Sequence, residues 1–376
     1  MSTDLPDLAL RTLGGAVIAA SDEFFADKEN LIKPAAPEFM PRTWSAKGQV
    51  YDGWETRRRR EPGHDWALVR LGMPGIPRTV VVDTAHFTGN YPPHCSVEAA
   101  SVDGYPSPAE LLDTADWLQL VPRSPLSGNS RHEFAVAGGQ WFTHVRLSIY
   151  PDGGVARLRV LGEPLPDPRE LPGLPLDLAA LRTGGRTVAC SDSFFSGPDS
   201  MLQPGESRFM GDGWETARRR DGGNDWAVVA LAGRGVPSVV ELATTHYKGN
   251  SPDRAALFGV DARTAAELDD AGAWFPVLPA TRLQPDTTHC FRLAGASGGR
   301  PVTHVRLDIH PDGGVARLRV YGQLTPDGYH DLALRWFNAL PPAHARSVLA
   351  EAGLDAHLAA SRPLTALPPP VLAACG

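Results

Sequence analysis

Asp52-Gly53-Trp54-Glu55-Thr56 returns 160 residues later as Asp212-Gly213-Trp214-Glu215-Thr216, so this chain of 376 residues carries one unit written twice. At that offset 21 of 40 positions agree between 51–90 and 211–250, and 17 of 20 between 143–162 and 303–322. The run Pro151 to Val160 recurs unchanged at 311–320. Upstream the offset is 170 and pairs Ser21-Asp22-Glu23-Phe24-Phe25 with Ser191-Asp192-Ser193-Phe194-Phe195. The first copy therefore holds ten extra residues between 26 and 50, placed by this reading near Asn30-Leu31-Ile32-Lys33-Pro34. Around Trp117 and Trp274 the offset slips to 157, as insertions and deletions in loops would make it.

Such a period is far longer than a solenoid unit of roughly 20–50 residues. Each copy is long enough to bury its own core. The expected organisation is two sister domains, 1–164 and 165–328, joined by the proline-rich stretch from Pro164 to Pro175. A tail, 329–376, has no counterpart in either copy.

Glycine (38 residues) and proline (35) cut the chain into short pieces, several of which alternate apolar and polar side chains. His144 to Tyr150 alternates with period two, Pro151-Asp152-Gly153-Gly154 is turn chemistry, and Val155 to Val160 alternates again, which predicts a hairpin. Trp66 to Leu71 and Thr79 to Asp83 read as two further strands, with Pro77 and Pro237 at strand starts or edges. Many short strands predict an all-β chain, each copy one antiparallel jelly-roll sandwich. A helical pattern is expected only in the tail, near 339–360, where Ala345, Val348, Leu349 and Ala352 recur at helical spacing.

Composition excludes several classes. A net charge of −7 argues against a chain-wide nucleic-acid surface. Four scattered cysteines with no C-x-x-C pair form neither a disulfide framework nor a zinc spacing, and fit a reducing cytoplasm. No apolar run approaches the roughly 20 residues that span a bilayer, and no signal peptide is legible.

Comparing the copies sorts the polar residues. Asp52, Glu55, Arg58 to Arg60, Asp65, His86 and Asn90 occur in both, which suits an internal ion-pair lattice and turn caps. Others are particular to the first copy. Arg57 becomes Ala217, His64 becomes Asn224, Asp83 becomes Ala243, and His94, Cys95 and Glu98 stand opposite Arg254, Ala255 and Phe258. In a strand through Trp54 to Arg59, Glu55, Arg57 and Arg59 would share one face. Two guanidinium forks there could grip a small carboxylate; a solvated strand edge is the equal alternative. Histidines with nearby carboxylates suit acid–base chemistry near neutral pH. No H-E-x-x-H or H-x-H motif specifies a metal. Cys95, Phe24, Phe25, Trp66 and Trp226 read as packing.

Ser21-Asp22-x-Phe24-Phe25, the run Asp52 to Arg60, Gly63-His64-Asp65-Trp66 and Asp83 to Asn90, together with the tandem duplication, resemble the allantoicase family over about 1–328. The resemblance implies a galactose-binding-like jelly roll in each copy, a homo-oligomer, and hydrolysis of allantoate to ureidoglycolate and urea. The bond that breaks joins the central carbon to a ureido nitrogen. That chemistry needs a cation for the carboxylate, an acid for the departing nitrogen and a base for water. Arg57 and Arg59 are the candidates for the first, Glu55 or His64 for the acid, and Asp83 or His86 for the base. Asn90 would bind the ureido group that stays, and Glu98 joins the substrate-contacting set. No cofactor is required by this scheme, although a divalent metal ion could replace the base. A non-catalytic tandem sandwich binding a carbohydrate or other polar ligand is the competing expectation. In the tail, Phe337-Asn338-Ala339-Leu340-Pro341 and Ser361-Arg362-Pro363 are similar to the opening of ureidoimidazoline decarboxylases, as a remnant or docking helix.

Overall fold

Asp65–Asp83 is one unbroken strand of 19 residues, and the first copy is built around it. The structure is a computed structural model that describes residues 5–171, 175–293 and 299–375. The first copy contributes β1 (Ala16–Ala20), β2 (Trp44–Ser45), β3 (Gly48–Gln49), β4 (Trp54–Glu55), β5 (Asp65–Asp83), β6 (His94–Ala100), β7 (Leu118–Pro125), β8 (Arg131–Ala135), β9 (Phe142–Tyr150), β10 (Gly154–Val155) and β11 (Arg157–Pro164). The second contributes β12 (Leu176–Asp177), β13 (Arg186–Cys190), β14 (Trp214–Glu215), β15 (Asp225–Ala243), β16 (Arg254–Val260), β17 (Phe275–Arg282), β18 (Thr288–Arg292), β19 (Val302–His310), β20 (Gly314–Val315) and β21 (Arg317–Leu324).

The long strand serves two layers. Its first part, Asp65 to Arg70, pairs with β1 and β9, and the order runs β1-β5-β9-β6-β7. Its second part, Gly75 to Asp83, pairs with β11 and β8. The bend between them passes through Gly72 and Gly75, where any Cβ would collide with the Gly15 nitrogen and the Glu163 carbonyl. Among the described residues every pairing is antiparallel, and β15 repeats the plan with β13, β19, β21 and β18. The fold is thus the expected all-β pair of antiparallel jelly-roll sandwiches with a short helical tail. Val80, Val82, Val145, Leu147, Ile149, Val97, Leu158 and Val160 are fully buried in the first core, with Trp54 closing it.

Several local expectations are corrected. Residues 144–160 do not form a hairpin: β9 and β11 pair with different parts of β5, and the Pro151–Gly153 turn carries the chain between layers. The two strands expected at 66–71 and 79–83 are one, and Pro77 sits inside it, opposite Gly162 at a break in register. The strand through Arg59 stops at Glu55. The ten extra residues lie later than Asn30, because the short 3-10 turns Lys28–Ile32 and Pro198–Leu202 correspond. The β2–β3 ribbon falls in the extra stretch instead. Phe24 and Phe25 are not core; they are 44% and 37% exposed.

Helices are not confined to the tail either. α1 (Pro108–Thr114) and α2 (Ala265–Asp269) each begin with a capping box, Ser107 with Glu110 and Thr264 with Glu267. In the tail α3 (Pro326–Ala339), α4 (Pro342–Glu351) and α5 (Pro369–Cys375) follow. Two compact units result, one made of 5–165 with 336–363, the other of 166–335 with 364–375. In the former, Trp336 meets Trp141 edge-on at 6.0 Å, and Ala345, Val348 and Leu349 of α4 are buried. In the latter, the Tyr329 hydroxyl donates to the Pro168 carbonyl over 2.7 Å. No helix among the described residues is long and apolar enough to cross a membrane.

Candidate active site

Trp54 fixes the first element of the site. Its ring is fully buried and its Nε1–H donates to the Asp22 carbonyl at 2.7 Å, so the neighbouring Glu55 projects outward from a rigid anchor. Asn90 Nδ2 donates to Glu55 Oε1 at 2.8 Å, and the Asn90 carbonyl accepts the Gly154 amide at 2.7 Å. Only glycine fits at 154, because a Cβ would enter the Phe87 ring. Burial pushes the Glu55 carboxyl above its ordinary range, and the Asn90 amide partly opposes this. The second copy repeats the pair, Asn250 to Glu215, at 2.6 Å.

The two candidate arginines are each tied to an aspartate. Arg57 Nε and Nη2 reach Asp22 Oδ2 at 2.7 and 2.6 Å, and the guanidinium lies 5.5 Å from the Phe24 ring. Arg59 Nη1 holds Asp65 Oδ1 at 2.7 Å, with the aspartate only 2% exposed. Their backbone amides explain why β4 is short. Arg57 N–H donates to Asp22 Oδ1 and Arg59 N–H to Asp152 Oδ2, so side chains occupy the donors a neighbouring strand would use. Arg59 Nε is buried without a partner, whereas the mate Arg219 Nε is taken by Asp221 at 2.8 Å.

Asp83 and His86 belong to one turn. Asp83 Oδ1 accepts the Ala85 amide at 2.8 Å, and its carbonyl accepts the Ala156 amide. His86 has φ 70°, its amide donates to Asn129 Oδ1, and its Nε2 lies 3.2 Å from the Pro37 carbonyl. His246 copies this with φ 73° and Nε2 at 2.8 Å from the Ser207 carbonyl. This wedge is common to both copies.

His64 and Glu98 lie on the outer face of the layer containing β5, β9 and β6, with His64 beside the Arg59–Asp65 pair. The His64 ring lies 4.8 Å from that of Tyr150, over which the Arg123 guanidinium sits at 4.3 Å. Arg146 holds Glu98 Oε2 through Nη2 and Nε at 2.7 and 3.0 Å and covers the Trp117 ring at 4.6 Å. Burial and the charges of Arg146 and Arg59 push the His64 imidazole below its ordinary value, against the pull of Asp65 and Glu98. Among the described residues no three His, Cys, Asp or Glu side chains are grouped to hold a metal ion.

The structure thus brings Glu55 onto Asn90, sets Asp83 and His86 in one turn, and places Arg59 and Glu98 in the field of His64. Sequence reasoning missed three groups. Asp22 holds both the side chain and backbone of Arg57; Asp152 holds the Arg59 amide; and Arg157, 2% exposed, holds Asp52 Oδ2 at 2.6 Å with the carbonyls of Asp52, Ala35 and Ala36 around it. Their signal was present in the pairs Asp22/Asp192 and Asp152/Asp312, and in the unchanged run that contains Arg157 and Arg317.

Comparison with known proteins gives a consistent result. The family model described as the allantoicase repeat matches residues 6–165 and again 176–325. A protein of Nocardia farcinica named probable allantoicase is 54% identical over 323 residues, covering 86% of this chain and 95% of that one. Another of that name from Streptomyces coelicolor is 51% identical over 345 residues, covering 89% of each. The crystal structure of allantoicase from Saccharomyces cerevisiae superposes with a TM-score of 0.69 at 33% identity, covering 86% of this chain and 94% of the yeast protein.

Proposed function

This chain belongs to the allantoicase family, and on that premise we propose that it hydrolyses allantoate to ureidoglycolate and urea. The observation that carries the chemical reading is Glu55: a half-buried carboxyl, raised by burial and held by Asn90. A carboxyl so raised keeps its proton further toward neutral pH and serves as the acid that protonates the departing urea nitrogen. Asn90, already aligned on Glu55, hydrogen-bonds the ureido group that stays. Arg57 and Arg59 take the substrate carboxylate, a role that the guanidinium fork suits. His64, expected as an alternative acid, suits the base instead of Asp83 or His86, because burial and the charges of Arg146 and Arg59 hold its imidazole below its ordinary value, and it accepts the proton of the attacking water. Asp83 and His86 position the turn leading to Asn90, and Glu98 orients Arg146 beside His64. A divalent ion could assist the water, and the scheme runs without one.

The duplicated unit, 1–164 and 165–328, is the proposed domain, with 329–376 an added docking tail that is similar to a ureidoimidazoline decarboxylase opening. A cytoplasmic homo-oligomer acting on a small molecule, with no nucleic-acid or membrane partner, completes the reading. Urea measured after mixing purified protein with allantoate, with and without a chelator, tests it. Urea release supports the proposal; folded protein that releases none contradicts it.

A further inference from the structure

Apart from the residues above, the first copy carries a cleft of about 450 Å³ lined by Ile18, Arg70, Tyr105, Pro106, Pro108 and His144. Arg70 of β5 and His144 of β9 are directly paired in register, so their side chains emerge on one face. The Arg70 guanidinium stands 5.4 Å from the centre of the Tyr105 ring, and no described carboxylate pairs with it. His144 is only 3% exposed; its Nδ1 lies 2.8 Å from Thr143 Oγ1, leaving Nε2 as the nitrogen free to meet a ligand.

The second copy separates what both copies share from what only the first holds. His304 keeps the same contact, Nδ1 to Thr303 Oγ1 at 2.9 Å, so the imidazole belongs to the fold. Arg70 is replaced by Ala230, and, aligning the capping serine Ser107 with Thr264, Tyr105 is replaced by Ala262. A cation and an aromatic side chain thus stand on the common scaffold in the first copy, where the second has alanine at both positions.

We propose that this cleft is a second binding site, distinct from the allantoate site, for a small flat monocarboxylate. One unpaired guanidinium matches one negative charge, and its fork matches a carboxylate by two parallel bonds. Tyr105, Pro106, Pro108 and Ile18 form apolar walls for a flat body, and the imidazole offers one polar contact. The volume lies within the roughly 300–1,000 Å³ of small-molecule sites.

Calorimetric titration of the full chain with benzoate tests this, with benzamide and inorganic phosphate as comparators. Benzoate is expected to bind saturably, phosphate more weakly and benzamide not measurably. Arg70→Ala should weaken benzoate by about tenfold or more, and Tyr105→Ala should weaken it as well, each installing the residue the second copy holds there. Allantoate turnover should be unchanged in both. Should Arg70→Ala fail to fold, Arg70→Lys, which keeps the charge and loses the fork, is expected to weaken benzoate severalfold. Unchanged benzoate affinity in the folded arginine variant, phosphate binding as tight as benzoate, benzamide binding equal to benzoate, or loss of turnover overturns the proposal.

Discussion

Asn90 Nδ2 donates to Glu55 Oε1 across 2.8 Å, joining the loop before β6 to the end of the short strand β4. The amide N–H favours the ionised carboxyl and so opposes the upward push of burial. Removing it raises the Glu55 pKa further. An acid must be protonated to act, so activity falls as pH rises through that pKa. In Asn90→Ala the alkaline limb of the kcat profile should therefore move to higher pH, while kcat itself falls because the retained ureido group loses its partner. A profile measured from pH 4 to 9 checks this; a limb that stays put contradicts the assignment of Glu55.

Arg57 and Arg59 should separate. Arg57 is largely exposed on Asp22, and the second copy carries Ala217 in its place, so Arg57→Ala should fold normally and raise KM for allantoate roughly tenfold. Arg59→Ala leaves Asp65, 2% exposed, without its cation, at a cost of roughly 3 kcal/mol of stability. Denaturant melts beside steady-state kinetics distinguish the two. An Arg57 variant with unchanged KM leaves the substrate-binding set.

The His64 imidazole is held below its ordinary pKa, first by burial and then by Arg146 and Arg59. It is therefore neutral at neutral pH and gains its proton only on acidification, so the acidic limb of kcat should report it. His64→Asn, the residue of the second copy, should remove that limb and lower kcat about a hundredfold. An acidic limb retained in that variant assigns the base elsewhere.

Asp52 and Arg157 form a buried ion pair at 2.6 Å. Burial raises the Asp52 carboxyl, but the Arg157 hydrogen bond, the Glu38 amide, Lys33 and the Arg157 charge outweigh it, and the net shift is downward. A folded pKa below the unfolded one contributes stability above the ordinary carboxylate value of 3.8, which is lost as pH falls through the folded value. Arg157→Ala should cost about 3–5 kcal/mol and flatten the acid end of the stability curve. Melting temperatures from pH 2 to 7 give the comparison.

Much of this architecture was legible because the chain supplies its own alignment. The offset of 160 pairs Trp54 with Trp214, and both are fully buried. Period two alone does not say which partner a strand chooses, so β9 and β11 read as a hairpin although each pairs with a different part of β5. Phe24 and Phe25 misled for a related reason: recurrence in Phe194 and Phe195 marks a retained role, and packing is only one such role. Among the site residues, the Glu55–Asn90 contact spans 35 positions of sequence, and no local pattern announces it. Asp22 escaped notice because its task is to hold the Arg57 amide, a backbone duty that composition does not reveal.

The account rests on the first copy performing the chemistry although both keep the glutamate–asparagine pair. Comparing kcat/KM for allantoate in Glu55→Gln and Glu215→Gln, both confirmed folded, tests it most directly. The account predicts a fall of roughly a hundredfold or more for Glu55→Gln and little change for Glu215→Gln. Equal losses in the two variants, or an unimpaired Glu55→Gln, would contradict it.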